Sequence, residues 1–284
     1  MTGIRKKIHF FLSLTILFTL ILLPFSVNGN PGELPAELQG IEIGPVYTPS
    51  QFKDVGVVET LGGRGKLIVL RRAAQAAYYA KEGDSLHEKD TLFTAADCRC
   101  RLRFKDKNLV IMAPQTTLDI EHVYASLFKG EKKSVFKMVR GRAIFYAIRL
   151  FRYKTMRLDL VTPTASIGVR GTKFGAEIEQ RTEGQSHFPK NMLASRSIVI
   201  SQAGAGMENL LTRAYVFEGE VTVTALVDGN TQILRLNEIL EIDRRGLGDV
   251  VLDPGRTKSF IEQVISGLVS EPEPGKRMFE ERIH

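Results

Sequence analysis

From position 52 onward, apolar and polar residues alternate along the chain with a period of two. The pattern is clearest at 98–105, where Cys98, Cys100, Leu102 and Phe104 fall on one side and Arg99, Arg101, Arg103 and Lys105 on the other. Strict alternation puts one face of a strand in a core and the other in water. Asp106, Lys107 and Asn108 supply a turn, and the apolar run 109–112 returns, which predicts a hairpin. Comparable short runs occur at 55–60, 67–70, 117–120, 156–161, 172–178, 198–201, 215–224 and 232–242. Residues 75–80 are ambiguous. Their alanines favour helix, whereas Tyr78 and Tyr79 ahead of Gly83-Asp84 favour a strand entering a turn. Residues 136–148 are mixed, with Gly141 interrupting. Closely spaced short strands separated by Gly and Asp turns predict an all-β protein, either a two-sheet sandwich or a β-solenoid-like fold.

Three regions depart from the strand pattern. Residues 30–51 are broken by Pro31, Pro35, Pro45 and Pro49 and by three glycines, which predicts a linker before a β-domain at 52–243. Residues 181–213 contain Gly184, Pro189, Gly204 and Gly206 and show little periodicity, so a long surface insertion is expected there, with a short helical turn at 207–211. In the segment 244–284, Phe260, Ile261, Val264, Ile265 and Leu268 form one apolar stripe, predicting a short C-terminal amphipathic helix over 257–269. A flexible tail with Pro272 and Pro274 follows.

The N-terminus sets the expected compartment. Arg5, Lys6 and Lys7 precede an apolar run from Phe10 to Leu23, ended by Pro24 and followed by Val27-Asn28-Gly29. Residues 1–29 thus read as a secretory signal peptide cleaved after Gly29, or as an N-terminal anchor if uncut, since 10–27 is just long enough to span a bilayer. Either way the rest of the chain faces outward, so a periplasmic or secreted protein, or one anchored in the inner membrane, is expected. Membrane contact is expected only through this segment.

Composition narrows the chemistry. The 284 residues carry a formal charge of +7, and Arg5, Lys6 and Lys7 supply three of that surplus. The remainder is too diffuse for a nucleic-acid protein, which needs a concentrated basic face. Two cysteines exclude a disulfide scaffold and a four-cysteine zinc site; Cys98 and Cys100 share the predicted core face, so buried free thiols are expected. His9, His87, His122, His187 and His284 make no ligand spacing. Gly62-Gly63-Arg64-Gly65-Lys66 lacks the upstream glycine and the trailing Ser or Thr of a phosphate loop and predicts a hairpin turn. No nucleophile motif is present. No catalytic residue, metal ligand or cofactor is therefore expected.

Basic residues do concentrate in one stretch. Between 129 and 154, Lys137, Arg140, Arg142, Arg149 and Arg152 belong to a run of nine cations with Glu131 as its one acid and aromatics interleaved. In an exported protein such a face suits anionic glycan, lipopolysaccharide or membrane headgroups; it equally suits a solvated strand pair whose charges discourage edge aggregation.

The segment 161–174, VTPTASIGVRGTKF, resembles the signature of the FecR domain family, a TP-x-A step followed by a GVRGT-x-F step. Gly83-Asp84-Ser85-Leu86 is similar to the family's G-D-x-L turn, residues 90–94 to its next strand, 102–112 to its hairpin, and 217–221 to its closing E-G-x-V strand. The resemblance spans roughly 52–243. It implies a compact extracytoplasmic β-domain. In the family's regulators this domain receives a signal from an outer-membrane transporter and passes it to a sigma-factor regulator through a preceding cytoplasmic domain. The few residues ahead of the apolar run cannot supply such a domain, so a stand-alone exported form is expected.

Within the signature, Pro163 interrupts a strand and holds Thr162 extended. Gly168 and Gly171 bracket Val169-Arg170 and predict a tight corner. Thr172 can bond back to local backbone, and Phe174 can plug the core. These residues are either a folding corner or a rigid mount that offers Arg170 to a partner's carboxylate. The expected function is a non-enzymatic module binding an envelope protein or an anionic glycan; a periplasmic sensor in a sigma-factor-linked system and an envelope structural protein are the alternatives.

Overall fold

The computed structural model describes residues 38–180 and 209–268. They form eighteen strands, numbered in chain order, and one helix. Two sheets face each other. Sheet A runs, edge to edge, β1 (Ile43–Gly44), β4 (Ala76–Tyr79), β3 (Leu67–Arg71), β6 (Asp90–Thr94), β9 (Thr117–Ser126), β10 (Glu131–Tyr146), β11 (Thr155–Val161), β12 (Ala165–Val169), β15 (Val221–Ala225) and β16 (Thr231–Leu234). Sheet B runs β5 (Ser85–His87), β2 (Asp54–Gly63), β7 (Cys98–Phe104), β8 (Leu109–Met112), β10 again, β13 (Lys173–Gln180), β14 (Leu210–Glu218), β17 (Glu238–Asp243) and β18 (Gly246–Leu252). The all-β expectation holds. The arrangement joins the two anticipated forms, because the chain passes back and forth between two layers while advancing from one edge to the other.

Strand β10 joins the layers. Its first half pairs with β9 and β11 in sheet A, and its second half with β8 and β13 in sheet B. The crossing falls at Gly141, whose φ is +91°; a Cβ there would sit 2.5 Å from Thr116 Cα. Only glycine fits such a bend. Thr116 clamps it, its hydroxyl accepting from the Arg142 amide and donating to the Arg142 carbonyl, both at 3.0 Å. Because β10 leaves sheet A and the chain returns through 147–154, β10 and β11 pair in parallel.

The core lies between the sheets, built from the inward positions of both, including Val69, Leu102, Phe136, Phe145, Ile167 and Val216. Phe104, Phe136, Phe145 and Phe174 form a chain of ring contacts through it. Two smaller apolar layers cover outer faces. Leu38, Ile41 and Ile43 pack on Ile68, Leu70, Ala77 and Phe93 of sheet A. The helix α1 (Pro254–Ile265) lays Phe260 and Val264 on Ile111, Ile144, Tyr215 and Ile239 of sheet B. Gly175 makes room for it, since a Cβ there would lie 2.5 Å from Phe260. Asp253 caps the helix by accepting from the Arg256 amide at 2.9 Å, Pro254 opens it, and Gly267, at φ +85°, follows its end.

Several expectations on local structure are corrected. Residues 62–66 are not a hairpin turn. The chain there changes from sheet B to sheet A, and Gly63 and Gly65 lie so close to the Asp97 and Ala96 carbonyls that any Cβ would collide. Residues 215–224 are two strands in different sheets, split at Gly219 with φ +77°. Residues 232–242 are likewise split, at Asn237 with φ +64°. Of the mixed stretch 136–148, residues 136–146 belong to one strand, β10, and 75–80 contains strand β4. Leu210 and Leu211 open strand β14 rather than a helical turn, and β18 extends the sheet past 243. The helix begins at Pro254, ahead of the expected 257. Residues 38–51 of the expected linker are described: they carry β1 and pack Leu38, Ile41 and Ile43 on sheet A. The expected signal segment, residues 30–37 of the linker, residues 181–208 of the insertion with the strand at 198–201, and the tail lie outside the described residues.

Candidate functional site at the signature strand

The signature is one strand with a turn at each end. Pro163 and Thr164 turn β11 into β12, and Arg170 with Gly171 turn β12 into β13. The five residues of β12 separate the two turns, about 17 Å at roughly 3.3 Å per residue. Thr162, Pro163 and Arg170 thus lie at opposite ends of the sandwich and form no single corner.

The first turn is a hydroxyl staple. Thr162 is buried, its hydroxyl accepting from the Ala165 amide at 3.0 Å and from Thr212 Oγ1 at 3.0 Å. Thr164 donates to Thr212 Oγ1 at 2.7 Å and reaches the Ile242 carbonyl at 3.1 Å. These bonds tie a turn of sheet A to β14 and β17 of sheet B. The second turn is built on Gly171, at φ +71°, with Thr172 buried behind it and donating to the Glu220 carbonyl at 3.0 Å. Gly168 lies inside β12 at ordinary backbone angles, paired with Asp159 and Thr222, so it forms no bend. Phe174 is buried and stacks on Phe145 with centroids 5.0 Å apart. Arg170 is exposed and donates to the Lys154 carbonyl at 3.2 Å.

Arg170 belongs to a cluster of loops. Turn 127–130 is closed by Gly130 at φ +66°, and the amides of Lys154 and Thr155 donate to the Gly130 carbonyl at 2.8 and 3.0 Å. Loop 147–154 carries Arg149 and Arg152 and packs Arg149 beside Gly171. Beneath it lies Lys132, 3% exposed, donating to Asn108 Oδ1 at 2.7 Å and to the Ile148 carbonyl at 2.8 Å. Asp106 accepts from Asn108 Nδ2 at 2.7 Å and from the Ser134 hydroxyl. Burial pushes the Lys132 ammonium down to about 8, against the pull of Asp106.

The basic stretch does not make one face, because β10 crosses between layers. Lys137 lies on the outside of sheet A. Arg140 stands at the crossing and donates to Thr117 Oγ1 at 3.2 Å. Arg142 is on the outside of sheet B, bonded to Gln263 of the helix at 2.5 Å. Arg149 and Arg152 are at the loop end. The alternating Lys132, Ser134, Phe136 and Met138 point inward.

Sequence reasoning missed a charge ladder on sheet B. Arg142, Glu177, Arg213 and Glu241 are direct cross-strand partners on β10, β13, β14 and β17. Arg213 bonds Glu241 at 2.6 Å, Glu179 at 2.5 Å and Glu177 at 3.3 Å, and Tyr215 donates to Glu177 at 2.8 Å. Burial disfavours the Arg213 charge, but Glu179 and Glu241 outweigh it and hold the guanidinium above its ordinary value. An open groove of about 540 Å³ runs between Arg140 and Glu179. The outward alternation of Glu177 and Glu179 was visible in sequence, but their partners come from β14 and β17, whose register only the fold shows.

A second missed cluster surrounds Arg71, buried between β3 and β6. It pairs with Asp90, donates to the Thr48 and Ser85 carbonyls at 2.8 and 3.0 Å and to Tyr78 Oη at 3.0 Å, and lies 5.2 Å from the ring centroids of Tyr47 and Tyr78. His87, 6% exposed, stands beside it, and burial followed by the Arg71 charge lowers its pKa. Cys98 and Cys100 are free and buried, and burial raises both thiols, Cys98 to about 11. Among the described residues, no group of three or more His, Cys, Asp or Glu side chains could hold a metal, and no helix is long and apolar enough to cross a membrane.

Comparison with known proteins bears on this arrangement. Residues 90–187, from β6 through the signature strand and into the segment after β13, match the FecR protein family. This is narrower than the 52–243 of the sequence resemblance. Two crystal structures of a protein described as a putative anti-sigma factor from Parabacteroides distasonis, at 1.65 and 2.50 Å resolution, align at 15% identity and a TM-score of 0.40, covering 61% of this chain. The chain spans 64% of the length of those structures. No curated protein matches.

Proposed function

We propose that this chain, whose residues 90–187 are a FecR domain, is a non-enzymatic interaction module of the bacterial cell envelope that engages a protein partner along its C-terminal sheet edge. The family match supports a recognition role, and one structural contrast supports the place. At the N-terminal edge of the sandwich the outermost strands are blunted, β1 having two residues and β5 three. At the other edge β18 has seven, with Val251 50% and Leu252 69% exposed, and Ile233 of neighbouring β16 is 48% exposed. A long apolar edge is a template for strand addition unless a partner uses it. Export rests on the signal-like residues 1–29.

The test is a crosslinking pull-down from the native host with the full chain and with a Val251→Lys, Leu252→Lys double variant. One envelope protein captured by the parent chain and lost with the folded double variant supports the reading. Retention by that variant overturns the edge as the site, and reproducible turnover of a substrate overturns the non-enzymatic role. A second reading, periplasmic sensing in a sigma-factor-linked system, follows from the FecR domain itself; an inner-membrane signalling protein among the crosslinked species is the result it requires.

A further inference from the structure

The loop end of the sandwich beyond β10, four strand positions from β18 along sheet B, carries a second surface. Turn 127–130 projects Phe128, 100% exposed, and Leu127, 62% exposed. Loop 147–154 projects Phe151, 82% exposed, with the Arg149 guanidinium 5.9 Å from its ring centroid. The two are neighbours, joined by the bonds from Lys154 and Thr155 to Gly130. Both are held firmly. The Gly130 amide donates to Leu127 at 3.2 Å, the Tyr153 amide to Leu150 at 3.1 Å, and Lys132 anchors Ile148 from below. A tight turn whose own backbone is satisfied gains nothing in folding by holding Phe128 fully in water, where the hydrophobic effect acts against it.

The charge along these two turns is mostly of one sign. Lys129, Arg149, Arg152, Lys154 and Arg170 surround them, and Glu131 is the one acid between residues 127 and 157. Aromatic tips inside a ring of Lys and Arg are suited to the interface of an anionic bilayer: the rings enter the headgroup region and the cations meet lipid phosphates. A glycan would use the cations but would leave Leu127 and Phe128 without an apolar phase to enter.

We propose that the Leu127–Phe128 turn and Phe151 form a peripheral docking site for an anionic lipid surface, with Arg149, Arg152, Lys154 and Arg170 as its electrostatic rim. This surface is distinct from the β18 edge, so the chain can hold a protein partner while lying on a membrane.

The chain contains no tryptophan, which allows a clean test. Full-length Phe128→Trp and Phe151→Trp variants are mixed with vesicles of phosphatidylcholine, alone or with phosphatidylglycerol. The expected result is a blue-shifted emission, quenched by brominated lipid, on the anionic vesicles only and reversed by salt. A Leu226→Trp variant, placed in an exposed loop at the other end of the strands, should not shift. This keeps the readout independent of any lipid contact by residues 1–29. Arg149→Gln and Arg152→Gln should each weaken the shift's apparent affinity about fivefold. Unmoved emission at 128 and 151, equal shifts on neutral vesicles, or an equal shift at 226 would overturn the proposal. So would a soluble sulfated glycan that binds the chain and abolishes its affinity for vesicles without any shift at 128; that result would assign the cations to a glycan.

Discussion

Among the described residues two cations are buried, Arg71 and Lys132, and they are treated in opposite ways. Arg71, between β3 and β6, has a full countercharge in Asp90, two backbone carbonyls, a tyrosine hydroxyl and two aromatic faces. Lys132, beneath loop 147–154, donates to two neutral oxygens, with Asp106 nearby but itself occupied by Asn108 and Ser134. A guanidinium keeps its charge under any condition the fold survives, so its site must neutralise it. An ammonium can give up its proton, and a cradle of neutral acceptors leaves it poised to do so. The first arrangement makes a fixed staple for the N-terminal half. The second makes a support, for the loop end that carries Arg149, Phe151 and Arg170, whose charge depends on pH.

The sharpest way to break the contrast is Asp90→Asn. It leaves the Arg71 charge buried against neutral partners, and an uncompensated buried charge costs about 3–5 kcal/mol. Equilibrium urea unfolding should show that loss. A loss below about 1 kcal/mol, the worth of an ordinary hydrogen bond, would mean that the pair is not the staple it looks like.

The Lys132 side gives a pH signature. The unfolded ammonium has its ordinary value of 10.5 and the folded one about 8. Between these values the unfolded chain binds the proton and the folded chain does not. Stability from this group therefore rises with pH from about 8 to 10.5 and is flat outside that window, by at most about 3 kcal/mol at roughly 1.36 kcal/mol per unit. Lys132→Met should remove the rise while keeping the volume filled. An unchanged pH profile in that variant would show that the cradle holds the charged form without penalty.

These two sites also mark what was legible in the sequence. The alternation at 98–105 gave hairpin, core face and buried thiols together, because each depends on neighbours in sequence. The same alternation at 132–138 was present, but the nine cations spread over 129–154 read as one wet face. What it hid was a period-two pattern that buries Lys132 along with Phe136 and Met138, and a glycine at 141 that sends the second half into another sheet. Arg71 closes the apolar run 67–70, and nothing local marks it as buried; its countercharge lies 19 residues on. The signature was found as a motif, yet its glycines looked equivalent. Gly171 alone takes a positive φ, whereas Gly168 is a strand residue, and only pairing with β11 and β15 separates them. Split strands at 219 and 237 were read as continuous, because alternation survives a change of sheet.

That difference between two glycines yields the smallest and most local prediction. Gly171→Ala forces a side chain onto a left-handed residue and into Arg149, whose Cβ lies 3.0 Å from the new methyl position. The conformational penalty is about 1–2 kcal/mol, and relief requires Arg149 to move. Gly168→Ala meets only ordinary contacts, the nearest Asp159 Oδ1 at 3.5 Å, and should change stability by no more than about 0.5 kcal/mol. Because Arg149 is also on the rim proposed for lipid, Gly171→Ala should weaken the vesicle response of a Phe151→Trp reporter while Gly168→Ala leaves it alone. Equal thermal shifts for the two substitutions would mean that the turn, not the left-handed residue, sets the cost. Unequal thermal shifts with an unchanged Phe151→Trp response would separate the folding role of Gly171 from any role in presenting the loop.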